Sequence, residues 1–166
     1  MAVASLVVAL ATPAAAPAAD RVIRSQAGLV SSVGPLKPTD AGVARLTTLF
    51  GRRTAVVAKG NGCTVRFSRA HITVVLANFG GGGSACQVGR AQRATVNGRE
   101  WRTQRGLRVG DRSVRMKRLY PGARRRHGRW ELQTAPLFGL TVATLEAVVA
   151  RGRVARMLTY LGGAGE

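Results

Sequence analysis

The chain has 166 residues, 46% hydrophobic and 20% charged, which is enough apolar material for a core and too much for a disordered polymer. Twenty-six basic residues against seven acidic ones give a net charge of +19, which excludes an acidic binding protein and leaves anionic partners open. Two cysteines and two histidines leave little material for a Cys/His zinc site, and no apolar run reaches the roughly 20 residues of a membrane-spanning helix.

Residues 1–19 read as a secretory signal. An apolar stretch, Ala2 to Ala11, leads to Thr12-Pro13 and then to the small-residue run Ala16-Pro17-Ala18-Ala19. Ala16-x-Ala18 fits the small-x-small preference of signal peptidase, although no Lys or Arg precedes the apolar stretch. Residues 20–38 form a Pro/Gly/Ser-containing approach segment. The first half, residues 39–98, opens with Thr39-Asp40 as the N-cap of a helix over Ala41 to Phe50. Val43, Leu46, Leu49 and Phe50 share one face of that helix, and Gly51 stops it. Strand-like runs follow at Thr54–Ala58, Cys63–Ser68 and His71–Asn78, the first two joined by a hairpin at Lys59-Gly60-Asn61-Gly62. Gly80 to Ser84 interrupts, and Gln87–Val96 reads as another strand.

The second half, residues 99–166, repeats the order. Leu107-Arg108-Val109-Gly110-Asp111 leads into a helix over Ser113–Tyr120, stopped by Pro121-Gly122. Strands are expected at Arg129–Gln133, Thr141–Val149 and Val154–Leu161. An offset of 71 residues sets Leu36 on Leu107, Asp40 on Asp111, Val43 on Val114 and Gly51 on Gly122. The fold class is therefore α+β, in two tandem units of a short helix followed by antiparallel strands. Whether the halves form one sheet or two stays open.

Cys63 and Cys86 have no other partner, and their bond would close a loop of 22 intervening residues. Beside a secretory leader, a disulfide is the better expectation than two buried thiols, and the spacing is not that of a Cys-x-x-Cys redox motif. Only Lys37, Lys59 and Lys117 among the basic residues are lysines; the rest are arginines, a bias that GC-rich codons also produce. Thirteen basic residues lie between Arg93 and Arg129 against Glu100 and Asp111. Within that stretch Arg124, Arg125, Arg126 and Arg129 are the candidate anion-binding residues, and a solvated hairpin turn is the plainer alternative.

Gly80 to Ser84 lacks the lysine of a phosphate-binding loop. His71 and His127 have few candidate carboxylates, namely Glu100, Asp111, Glu131 and Glu146, and no nucleophile motif accompanies them. No catalytic residue, cofactor or metal is expected. Trp101, Tyr120 and Trp130 are interleaved with arginine but are better placed as core rings than as a nucleic-acid platform.

The runs Val33-Gly34-Pro35-Leu36, Phe50-Gly51, Ala77-Asn78-Phe79-Gly80 with Cys86, and Trp101-Arg102-Thr103-Gln104-Arg105-Gly106-Leu107-Arg108-Val109-Gly110-Asp111 resemble a family of exported actinobacterial proteins of unknown function. Leu119-Tyr120-Pro121-Gly122-Ala123 and Gly152-Arg153-Val154 fit the same pattern. More distantly, the helix-then-sheet order is similar to the repeat of the outer-membrane assembly lipoprotein and β-lactamase-inhibitor-protein folds. Where those repeats carry Gly-Met-Thr, this chain has Lys37-Pro38-Thr39 and Val109-Gly110-Asp111. The resemblance implies export and a protein-interaction role, with no activity carried over.

The expectation is an exported, non-enzymatic envelope or extracellular interaction module, contacting an anionic cell-envelope polymer or an acidic protein. The rivals are a cytosolic nucleic-acid-binding protein and a secreted hydrolase built on His71.

Overall fold

A computed structural model describes residues 20–80, 82–137 and 139–162, so the expected leader lies outside the described residues. In chain order the elements are β1 (Val22–Gln26), β2 (Leu29–Val33), α1 (Gly42–Phe50), β3 (Ala55–Lys59), β4 (Gly62–Phe67), β5 (Ile72–Ala77), α2 (Ala85–Val88), β6 (Arg90–Val96), β7 (Arg102–Thr103), α3 (Ser113–Leu119), β8 (Arg124–Arg126), β9 (Arg129–Leu137), β10 (Leu140–Ala150) and β11 (Arg153–Tyr160). Eight strands form one antiparallel sheet in the order β3-β4-β5-β6-β11-β10-β9-β8. A small mixed sheet, β2-β1-β7, pairs β1 parallel to β7.

The alternation that makes the strands also gives the large sheet two different faces. In β5, Ile72, Val74 and Leu76 are buried while Thr73, Val75 and Ala77 are half-buried; in β4, Cys63, Val65 and Phe67 point inward and Arg66 is exposed. A register shift between β5 and β6 lets Ala91 and Ala94, three residues apart, both reach the buried side. The buried side meets Leu46 of α1, Met116 of α3, and Ile23, Val30 and Val33 of the small sheet in one core. Phe50 packs on Phe67 with ring centroids 5.4 Å apart. The Trp101 indole is buried beneath this layer and donates from Nε1 to the Ala70 carbonyl at 2.8 Å.

Each half runs from the rim of the sheet to its centre: β3, β4, β5, β6 on one side and β8, β9, β10, β11 on the other, joined where β6 pairs β11. The halves therefore form one sheet. The two helix entries make matching contacts, offset by 71 residues on the helix side (41 to 112) and by 63 on the partner side (90 to 153). Ala41 bridges Arg90 and Arg112 bridges Arg153. Gly42 N–H donates to Gly89 and Ser113 N–H to Gly152, each at 2.9 Å. Asp40 Oδ2 accepts the Lys37 N–H at 2.8 Å, and Asp111 Oδ2 accepts the Arg108 N–H at 2.9 Å.

Those last bonds correct one expectation. Asp40 is not the N-cap of α1; the cap position there is Ala41, as it is Arg112 for α3, with no side-chain cap bond at either. Each carboxylate instead closes the turn before the helix and pairs with an arginine inside it, Arg45 or Arg115. Gly51 does stop α1, at φ +78°, with its N–H on the Thr47 carbonyl. Two further differences have local causes. The strand expected over Gln87–Val96 begins at Arg90, because residues 85–88 turn into α2, which the Cys86 bond holds against β4. The approach segment contains the β1–β2 hairpin, whose Ala27-Gly28 turn has positive φ at both central residues, as a type I′ turn requires.

Candidate functional site

The second face of the large sheet is open. Strand pairing sets two rows of side chains across it. One runs Arg66, Thr73, Thr95, Leu158, Glu146, Glu131, Arg124; the other runs Val57, Thr64, Val75, Arg93, Tyr160. None of these residues is buried. Arg156 shares the face as a further exposed arginine of β11.

The four arginines singled out in the sequence lie at the β8 end. Arg124, Arg125 and Arg126 form β8, and Arg129 opens β9 across the His127-Gly128 turn, whose φ values of +47° and +77° again make a type I′ hairpin. The hairpin brings them together in space, divided between two faces of the sheet and with two of them ion-paired. Arg125 pairs with Trp130, which packs toward the core and carries Lys117 Nζ 5.0 Å from its ring centroid, so Arg125 is directed away from the open face. Arg126 Nε lies 3.7 Å from Glu131, and Arg129 Nη1 3.2 Å from Glu146. Arg124 stands directly across from Glu131.

The other end of the face differs. Arg66, Arg93 and Arg156 have no ion-pair partner among the described residues, and Arg93 lies over the Tyr160 ring at 6.0 Å. Arg66 and Arg156 border a shallow hollow also lined by Ser68, His71, Thr73, Thr95 and Asn97. For two of the three arginines part of the cause is visible in the sequence: residues 41–99, which hold Arg66 and Arg93, contain no carboxylate. That run is the signal linear arginine density overlooks. The three arginines come from strands far apart in the chain, so only pairing makes them neighbours.

Elsewhere, each described carboxylate faces an arginine: Asp20 with Arg24, Asp40 with Arg45, Glu100 with Arg21, Asp111 with Arg115, Glu131 with Arg126 and Glu146 with Arg129. His71 is exposed, at φ +51° in the β4–β5 turn, with Nε2 4.0 Å from Glu100 Oε1, but Glu100 is already bonded by Arg21. Ser68, three residues before His71, pairs with Thr54 Oγ1 at 2.9 Å. His127 occupies the exposed β8–β9 turn. Among the described residues no group of three or more His, Cys, Asp or Glu is placed to hold a metal, and no helix is long and apolar enough to cross a membrane. Gly80 and Gly82 to Ser84 belong to the loop between β5 and the single turn of α2.

Trp101 and Tyr120 are buried in the core and Trp130 packs against it. Burial pushes the Tyr120 hydroxyl above its ordinary pKa; a hydrogen bond with Thr103 and the Arg105 guanidinium oppose that rise. The Cys63–Cys86 disulfide is formed, with Cα atoms 5.1 Å apart, and is consistent with an extracytoplasmic location.

No family model, curated protein or solved structure matches the chain.

Proposed function

We propose that the protein is an exported, non-catalytic interaction module of two tandem helix-plus-sheet units, and that the open sheet face binds an anionic partner in the cell envelope or outside the cell. The observation that carries this is the contrast on one surface: Arg66, Arg93 and Arg156 have no carboxylate partner while every described carboxylate is committed to an arginine. Arg66 and the β6 strand that carries Arg93 are separated by two strand spacings, roughly 10 Å. Charges so spread suit a polymer with repeated anionic groups or an acidic protein surface better than a single small anion. The committed state of the carboxylates and of Ser68 supports a binding role over hydrolysis at His71.

The test is binding of poly-L-glutamate and dextran sulfate to the wild type and to an Arg66→Glu/Arg93→Glu/Arg156→Glu variant. The variant is expected to bind at least tenfold more weakly at low salt. An Arg124→Glu/Arg125→Glu control should lose under threefold, and wild-type affinity should fall as salt is raised. Equal binding by wild type and triple variant refutes the assignment.

A second reading has one observation of its own. The Arg93–Tyr160 pair sets an aromatic ring beside a cation on the open face, as single-stranded nucleic-acid binders do. Single-stranded DNA in the same assay separates the two readings, since loss of binding on Tyr160→Ala is expected only if bases stack there.

A further inference from the structure

The two rims of the large sheet are built differently. The β8 rim is three consecutive arginines, one of them turned toward the covered face, which is how sheets discourage strand addition. The β3 rim, Ala55-Val56-Val57-Ala58-Lys59, carries a single charge, Lys59 at its end on the open side, and none turned toward the covered face. All five residues are exposed, Val56 at 40% and Val57 at 59%, and β3 is the last strand of the sheet on that side. Among the described residues no strand neighbours its outer backbone N–H and C=O groups.

The rim also stops short of completing the core. Val56 continues the buried row Val65, Val74, Ala94, and Ala58 continues the row Cys63, Leu76, Ala91, yet both β3 residues remain in solvent. On the opposite face, Ala55 stands directly across from Arg66, and its methyl group is too short to shield that guanidinium. Arg52 and Arg53 precede the strand and Lys59 ends it, in the part of the chain that contains no carboxylate.

From this we infer that β3 receives an additional strand from a partner protein, an extended segment in which apolar residues alternate with acidic ones. Apolar side chains on the covered face would extend the Val56 and Ala58 rows. Acidic side chains on the open face would reach Arg66 and Lys59. This mode combines main-chain pairing with alternate side-chain recognition. A second copy of the chain does not fit, because antiparallel β3–β3 pairing would gather two sets of Arg52, Arg53, Lys59 and Arg66 at one seam without a carboxylate. The inference goes beyond the open-face proposal, since the contact is made by backbone at the rim.

The probe is a capped peptide, Thr-Glu-Val-Glu-Val-Glu-Thr, with amide exchange of residues 55–59 followed by NMR in the full chain. Saturating peptide should slow those amides at least tenfold. A lysine-for-glutamate version, and one methylated on alternate backbone nitrogens, should slow them less than threefold. Val57→Glu, at an exposed position, should weaken the acidic peptide about tenfold with Trp101 fluorescence unchanged. Arg93→Glu/Arg156→Glu should leave peptide binding intact while weakening dextran sulfate, so the rim and the face fail separately. Peptide binding without slowed β3 exchange overturns the inference. So does equal protection by the lysine peptide, or a concentration-dependent dimer that protects β3 without peptide.

Discussion

Removing the Cys63–Cys86 bond tests what holds the first half together. Replacing both cysteines by alanine frees a loop of 23 residues' separation that contains the β4–β5 hairpin and the glycine-rich segment after it. Chain-entropy bookkeeping for a loop of that length gives about 3.4 kcal/mol of stabilisation lost from the unfolded side. For a chain of this size that corresponds to a melting temperature lower by roughly 10 °C. At about 2 kcal/mol per molar urea, it corresponds to a midpoint lower by about 1.7 M. Trp101, buried in the core, is the natural reporter for urea unfolding. Wild type under reductant keeps both sulfur atoms and should lie within about 1 kcal/mol of the alanine variant, since the closed loop rather than Cys63 packing carries the effect. If oxidised and reduced wild type differ by less than about 1 kcal/mol, loop closure is not what the bond contributes and the reasoning is refuted.

The two equivalent turn carboxylates should not be equal. Asp40 is nearly buried, and Asp40→Ala should cost about 2–3 kcal/mol; the more exposed Asp111→Ala should cost about 1, both read by urea unfolding. Trp101→Phe leaves the Ala70 carbonyl without its donor and should destabilise by about 1–3 kcal/mol in the same assay. Tyr120, with its pKa raised by burial, should ionise after ordinary tyrosine in an absorbance titration at 295 nm. Its contribution to stability is fully present below pH 10 and is lost as pH rises through the folded-state value, and Tyr120→Phe should abolish that alkaline loss.

Local pattern made much of this fold legible. Alternation over residues 63–68 and 71–78 marks strands, Gly51 ends a helix, and two cysteines permit one bridge. What escaped is structure that neighbours impose. β8 is all arginine and has no apolar alternation; it is a strand because the His127-Gly128 turn folds it onto β9. α2 is one turn without helical periodicity, tethered through Cys86. In the small sheet the partnership of β1 with β7 was invisible because it is parallel and spans most of a domain. The candidate site escaped for the same reason. Consecutive arginines at residues 124–126 are conspicuous in sequence, but a strand sends alternate side chains to opposite faces, and Glu131 and Glu146 wait beside it. Arg66, Arg93 and Arg156 are inconspicuous one by one and meet only through the pairing of β4, β5, β6 and β11.

The junction between β6 and β11 has a consequence for how the chain is made. β11 is the last described strand in chain order, yet it lies in the middle of the sheet with four strands on one side and three on the other. Until residues 153–160 arrive, β6 and β10 each present a naked inner edge, and the long-range pairing that closes them must come late. A nascent or clipped chain lacking that segment would therefore carry two sticky seams instead of one finished surface. A chain whose sheet closes only when β11 is delivered keeps its two halves separable until then and locks on that strand's arrival.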